Sequence, residues 1–133
     1  DDSACMVDAA YRLSRFLSVE SCGQCPPCKI GSGEITSHLE RLESGAGTER
    51  DITGIDGWLE RVTDGNRCYL AVEERLLVGS VLHAFPDEFV EHVGRPCPRP
   101  GRRPIPKLLD LADGVATYDE RFWSKRPDWT YDD

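Results

Sequence analysis

Several signatures that would give this chain a catalytic identity are missing from it. There is no G-x-G-x-x-G turn, no P-loop and no glycine-rich stretch long enough to wrap a flavin or a dinucleotide phosphate, so nothing in these 133 residues is built to cradle a nucleotide. No Ser or Cys stands at a readable spacing from a His, and the acidic residues fall on the polar faces of helical patterns, which removes a hydrolytic constellation. No apolar run approaches the roughly 20 residues of a membrane span. A signal peptide is absent, and the single Met, Met6, lies inside a helical pattern, so the chain is expected to be a processed or excised piece of something longer. Positive charge is scarce as well: the formal net charge of -8 argues against nucleic acid and against an anionic membrane surface as partners.

What the chain does have is six cysteines, three of them in Glu20-Ser-Cys-Gly-Gln-Cys-Pro-Pro-Cys-Lys29. Gly23 frees the backbone beside Cys22, while Pro26 and Pro27 stiffen φ and remove two amide donors, so this segment is a turn and not a helix interior. The C-x2-C-x2-C spacing of Cys22, Cys25 and Cys28 presents three thiolates to one face of an iron–sulfur cube. A [4Fe–4S] cluster needs a fourth donor, and Cys68 in Asn66-Arg-Cys-Tyr-Leu70 is the natural candidate. Two other chemistries use the same atoms. A four-thiolate zinc site would make the chain a zinc-stabilised protein-interaction domain, although such sites pair two separated C-x2-C knuckles, where this chain has three thiols in one loop. Cys25-Pro-Pro-Cys28 resembles a thioredoxin-type redox pair, which would want a preceding strand where the pattern is helical. A disulfide framework lacks its secretory context.

The rest of residues 1–93 reads as packing around that loop. Met6, Ala9, Ala10, Leu13, Phe16 and Leu17 predict an amphipathic helix over 4–19 with Ser3 as N-cap. A second helix is expected from soon after Cys28 to about Ser44, with Ile35, Leu39 and Leu42 inward and its N-terminus towards the thiols. A third is expected over 51–64 through Ile52, Ile55, Leu59 and Val62. A fourth should follow Cys68 through Leu70, Leu77, Val78, Val81, Leu82 and Phe85, and a short turn runs from Pro86 to His92. Cys5, without a Cys or His nearby in sequence, reads as an inert thiol, and His38, His83 and His92 as ordinary histidines.

From Gly94 the composition changes. Arg95 to Lys107 holds five Pro and five basic residues and no acid, so it should be extended. Residues 1–93 carry eight basic and seventeen acidic residues, and the stretch from Gly94 carries eight and seven, so the tail can pair with the acidic body. Lys107 to Ala116 suggests a short helix through Leu108, Leu109, Leu111 and Ala112. Phe122, Trp123, Trp129 and Tyr131 then form an aromatic group suited to docking, and Cys97 reads as a spare thiol. The fold expected is all-α, a four-helix bundle around an iron–sulfur cluster with an extended Pro/Arg-rich tail. Its units are a helical domain over 1–93 and a docking tail over 94–133.

The segments Glu20 to Gly31, Cys68-Tyr-Leu-Ala71 and Phe85 to Val93, in this order and spacing, resemble the C-terminal iron–sulfur domain of the NADH-binding flavoprotein subunit of respiratory complex I and of related NAD-linked hydrogenase and formate dehydrogenase diaphorases. The resemblance spans about residues 4–93. It implies a helical bundle in which Cys22, Cys25, Cys28 and Cys68 ligate a [4Fe–4S] cluster. FMN and NAD are placed by it in an N-terminal domain outside this chain, which alone should not oxidise NADH although it looks like part of an NADH dehydrogenase. The function implied is a one-electron relay from that flavin to a further cluster. The partners are then a flavin/NADH-binding domain or subunit and another iron–sulfur subunit, in a cytoplasmic, bacterial setting that allows the periphery of a membrane complex. Ile30 and Leu70-Ala71 depart from the family's usual polar residue and Leu-Gly pair, which touches the surroundings of the cluster and not its ligands.

Overall fold

The computed structural model describes residues 3–101 and 105–132. Five helices come first: α1 (Met6–Glu20), α2 (Pro26–Ser44), α3 (Glu49–Leu59), α4 (Leu70–Ala84) and α5 (Pro86–Glu91). Each boundary has a local cause. Pro26 and Pro27 occupy the first two positions of α2, where a missing N–H costs nothing and a fixed φ favours the helix, so α2 begins before Cys28 and not after it. Gly45, at φ 84°, ends it in the left-handed conformation. At the start of α3 the Asp51 carboxylate accepts from the Thr48 amide at 2.8 Å. That helix stops at Leu59, short of the expected residue 64, yet Val62 in the following turn is fully buried all the same. The residue preceding α1 is Cys5, not Ser3.

α1 packs along both α2 and α4, and α2 along α3. Cys28, Gly31, Ile35, Leu39 and Leu42 recur every three or four residues on the buried face of α2. Gly31 allows a close approach there, since a Cβ at this position would stand 3.0 Å from Val62 Cγ2. The buried face of α1 is rotated from the expected one. Val7, Ala10, Ser14, Leu17 and Ser18 are inside, while Ala9, Leu13 and Phe16 are half-buried. Two serines point inward, and for Ser14 the partners are clear: its Oγ donates to Glu74 Oε1 of α4 at 2.5 Å and lies 2.8 Å from Thr36 Oγ1 of α2.

Past α5 the chain turns and then lies on the body. The amides of Gly94 and Cys97 donate to the carbonyls of Gly47 and Glu43 at 3.0 and 2.8 Å, and Gly101 donates to Asp8 at 2.7 Å. Arg102, Arg103 and Pro104 of the basic stretch lie outside the described residues. The helix expected after Lys107 is instead an antiparallel hairpin of β1 (Lys107–Ala112) and β2 (Val115–Asp119), which corrects the all-α expectation. Asp113 and Gly114, at φ 51° and 77°, make the two-residue turn whose twist suits a hairpin, and an irregularity between Leu108 and Asp110 absorbs one residue. A 3-10 turn at Glu120–Ser124 then buries Phe122 against Phe16, their ring centroids 5.4 Å apart.

Burial pushes the Glu74 carboxyl up to about 7, against the Ser14 hydrogen bond that lowers it, and Glu74 Oε2 is buried without a hydrogen-bond partner. Because the folded protein holds this proton more tightly than the unfolded chain, stability should fall as pH rises from about 4.5 to about 7, by on the order of 3 kcal/mol at most. Glu74→Gln should flatten that slope. Anaerobic urea denaturation at pH 5 and pH 8 should show a lower midpoint at pH 8 for the parent and a smaller difference between the two midpoints for the variant.

Candidate metal centre

Cys22 and Cys25 lie in the turn between α1 and α2, and Cys28 on the first turn of α2, so one helical hairpin supplies three thiols. Gly23 sits at φ 76°, in the region that favours glycine. Cys68 comes from the turn before α4, which reaches the same end of the body because Val62 packs on Gly31. The backbone there is tied by Asn66, whose side chain donates to the Cys68 carbonyl at 2.9 Å. Cys22 and Cys68 are exposed, Cys25 half-buried and Cys28 buried. Burial raises the Cys28 thiol; a hydrogen bond from Ser21, 3.5 Å away, lowers it, and the charges of Cys68, Cys25 and Cys22 raise it further. Cys68, Cys25 and Cys22 thus each lie near enough to Cys28 for their charge to act on it.

Around them the structure adds residues that the sequence did not flag. Ser21 supplies the hydroxyl beside Cys28. The indole N–H of Trp129 donates to the Ser21 carbonyl at 3.2 Å, and its ring lies 3.1 Å from where a Cβ on Gly23 would be. Lys29 gives its ammonium to the carbonyls of Ser18 and Ser21 at 2.8 and 3.2 Å and stacks 4.8 Å over the Trp129 ring. Burial, followed by the charge of Lys125, lowers the Lys29 pKa, while Cys28, Asp128 and Cys22 oppose that fall. Gln24 is exposed in the loop. Glu20 holds the tail to this end of the body through Lys107 at 3.1 Å and Lys125 at 3.3 Å; burial alone would raise its carboxyl, and the two lysines bring it below the usual range.

The other two thiols, Cys5 and Cys97, are buried. Cys5, far in sequence from any Cys or His, stands 3.4 Å from His92 Nε2, and both share a buried site with Glu43 and Cys97. Among the described residues these four form a group whose ligand atoms all lie within 4.8 Å of one another, tight enough for a single ion. His38 pairs with Asp51 at 2.9 Å, and His83 contacts the Gly79 carbonyl within its own helix.

No helix is long and apolar enough to cross a membrane. Residues 8–92 match the family of the NADH-ubiquinone oxidoreductase-F iron-sulfur binding region. The chain is 34% identical over 99 residues to an F-type subunit of the NADH-quinone oxidoreductase of Rhizobium meliloti, covering 74% of this chain and 24% of that protein. It is 32% identical over 99 residues to the HndC subunit of the NADP-reducing hydrogenase of Solidesulfovibrio fructosivorans, covering 74% and 20%. Against the mitochondrial NADH-ubiquinone oxidoreductase 51 kDa subunit of Neurospora crassa the identity is 40% over 70 residues, covering 53% and 14%. The chain spans about a quarter or less of the length of these relatives. A match that takes in both the cysteine loop and Cys68 covers nearly all of the helical body, and by it the chain belongs to the NADH-ubiquinone oxidoreductase-F iron–sulfur binding family, whose cofactor is a [4Fe–4S] cluster.

Proposed function

We propose that Cys22, Cys25, Cys28 and Cys68 hold the cluster, with α1 to α4 as a four-helix bundle around it, and that the chain is an electron relay between a flavin and a further iron–sulfur centre. The observation that carries this reading is the packing of Val62 on Gly31, which delivers the Cys68 turn to the first turn of α2, where Cys28 is buried. A [4Fe–4S] cluster supplies one-electron, outer-sphere chemistry. The residues around it set its surroundings. Cys28 anchors one corner in the core, while exposed Cys22 and Cys68 keep the opposite side near the surface, where a donor or acceptor can approach. The N-terminus of α2 and the ammonium of Lys29 favour negative charge at the thiolates, and Ser21 Oγ can donate to the Cys28 sulfur. Trp129 covers the loop from outside and limits water at Gly23.

The flavin and NADH would sit in the part of the relatives that this chain does not span, or in a partner subunit, and a second iron–sulfur subunit would take the electron onward. Such a chain works in the bacterial cytoplasm or at the periphery of a membrane complex. The hairpin fits a docking role for the tail, because Leu108, Leu109, Leu111 and Val115 are 51 to 67% exposed. The four-thiolate zinc alternative is disfavoured by the arrangement of the ligands, since three thiols share one turn and the fourth is remote, where such sites pair two separated C-x2-C knuckles.

Anaerobically purified protein should contain about four iron and four acid-labile sulfide per chain. Cys68→Ser should lower both at least tenfold, and Cys97→Ser should leave them unchanged. Full iron in Cys68→Ser would assign the fourth ligand elsewhere.

Trp129→Ala should leave the iron content as it is and open the loop to solvent. Iron transfer to a chelator, followed by loss of visible absorbance, should then be several-fold faster than in the parent.

A further inference from the structure

At the end of the body opposite the cysteine loop, four side chains from separate segments converge. Cys5 precedes α1, Glu43 lies in the last turn of α2, His92 follows α5, and Cys97 lies in the extended strap. Their ligand atoms all lie within 4.8 Å of one another, with Cys5 Sγ 3.4 Å and Glu43 Oε1 3.7 Å from His92 Nε2. A tetrahedral zinc with Zn–S of about 2.3 Å and Zn–N or Zn–O of about 2.0–2.2 Å needs ligand atoms roughly 3.3–3.8 Å apart, so the group is already near the required size. Cys5, His92 and Cys97 are buried, and the Glu43 side chain is 9% exposed.

Two features separate this group from a chance meeting of polar residues. The Glu43 carboxyl is buried with the Cys97 thiol as hydrogen-bond partner, but its Oε1 makes no hydrogen bond, a costly arrangement unless something positive satisfies it. His92 Nδ1 is 2.6 Å from the Glu88 carbonyl, which requires the proton on Nδ1 and leaves the Nε2 lone pair aimed into the group; this is the supporting contact that orients metal-bound histidines. The surroundings hold the ligands in place. The Glu88 carboxylate accepts from the Met6 amide at 2.9 Å and so fixes the residue next to Cys5. Cys97 is held by its own amide on the Glu43 carbonyl and by prolines on both sides, and its sulfur accepts from the Arg99 amide.

We infer that Cys5, Glu43, His92 and Cys97 form a structural binding site for a divalent soft-to-borderline metal ion, Zn2+ by donor set, separate from the iron–sulfur centre. Two thiolates, one imidazole and one carboxylate complete a four-coordinate shell with no position left for water or substrate, so the site is closed and structural. On binding, the two thiols and any protonated carboxyl release their protons to solvent, and the ion satisfies Glu43 Oε1. α1 has 15 residues, which at 1.5 Å per residue separates the two sites by on the order of 20 Å, so the ion serves no electron path. It would pin the start of α1 to the strap, between residues 5 and 97.

The test uses the whole chain, purified anaerobically from zinc-supplemented cells, with metal analysis and X-ray absorption at the zinc edge. About one zinc per chain with a shell of two sulfur and two nitrogen or oxygen atoms is the expected result. A four-sulfur shell would put zinc in the cysteine loop, and less than a tenth of an equivalent would mean no site; either overturns the inference. A mass two hydrogens below the reduced value, from a Cys5–Cys97 disulfide, would do so too. In variants, Cys5→Ser with Cys97→Ser should lower zinc at least tenfold and keep the iron, whereas Cys68→Ser should lower iron and keep the zinc. Zinc lost with Cys68→Ser overturns this site, while iron unaffected by Cys68→Ser counts against the relay reading alone.

Discussion

Cys28 and Cys68 have 39 residues between them, and keeping them at one end of the body is the constraint from which most of the structure follows. Closing such a loop costs entropy that grows only slowly with its length, so the expense lies in fixing orientation and not in spanning distance. α2 and α3 make the outward and return legs, and the contact of Val62 with Gly31 brings the chain back to the thiols. A methyl at residue 31 would crowd Val62 by a few tenths of an ångström, and larger side chains would crowd it more. The same geometry decides which thiol is buried: Cys28 points into the core because it shares the inward face of α2 with Ile35, Leu39 and Leu42.

The helices and the three loop thiols are legible in the sequence, for physical reasons that are local. Period-3.6 apolar spacing, prolines at a helix start and the C-x2-C-x2-C turn act over a few residues each. What the sequence hides has the opposite property. The inward face of α1 is not the one its apolar spacing predicts, because Ser14 and Ser18 are buried, and for Ser14 the partners that permit this are Thr36 and Glu74, 22 and 60 residues away. Cys5 and Cys97 look idle in sequence because their neighbours come from four separate segments. The hairpin is hidden for a different reason. Its signal, Asp113-Gly114, is local and strong, but the leucines before it also suit a helical face, and only the turn dipeptide decides between the two.

The strap and the hairpin lie beyond residues 8–92, the part that matches the family. Within the body, the fold organises a loop of thiols; outside it, the chain returns over the surface with basic residues set against Glu20 and aromatics set against Phe16 and Ser21. Exposed ion pairs such as Lys107 with Glu20 contribute little singly, so the burial of Phe122 carries most of the adhesion at this end.

The cover over the cysteine loop also sets a clock. Trp129 is made 108 positions after Ser21, whose carbonyl it binds. At ribosomal rates of about 5–20 residues per second, the loop exists for on the order of 10 s before the residue that closes it has been added. During that interval the body can form while the thiols stay open on the side that Trp129 later occupies. Chain order alone therefore gives the assembly machinery a window for loading metal that no contact in the finished structure has to provide.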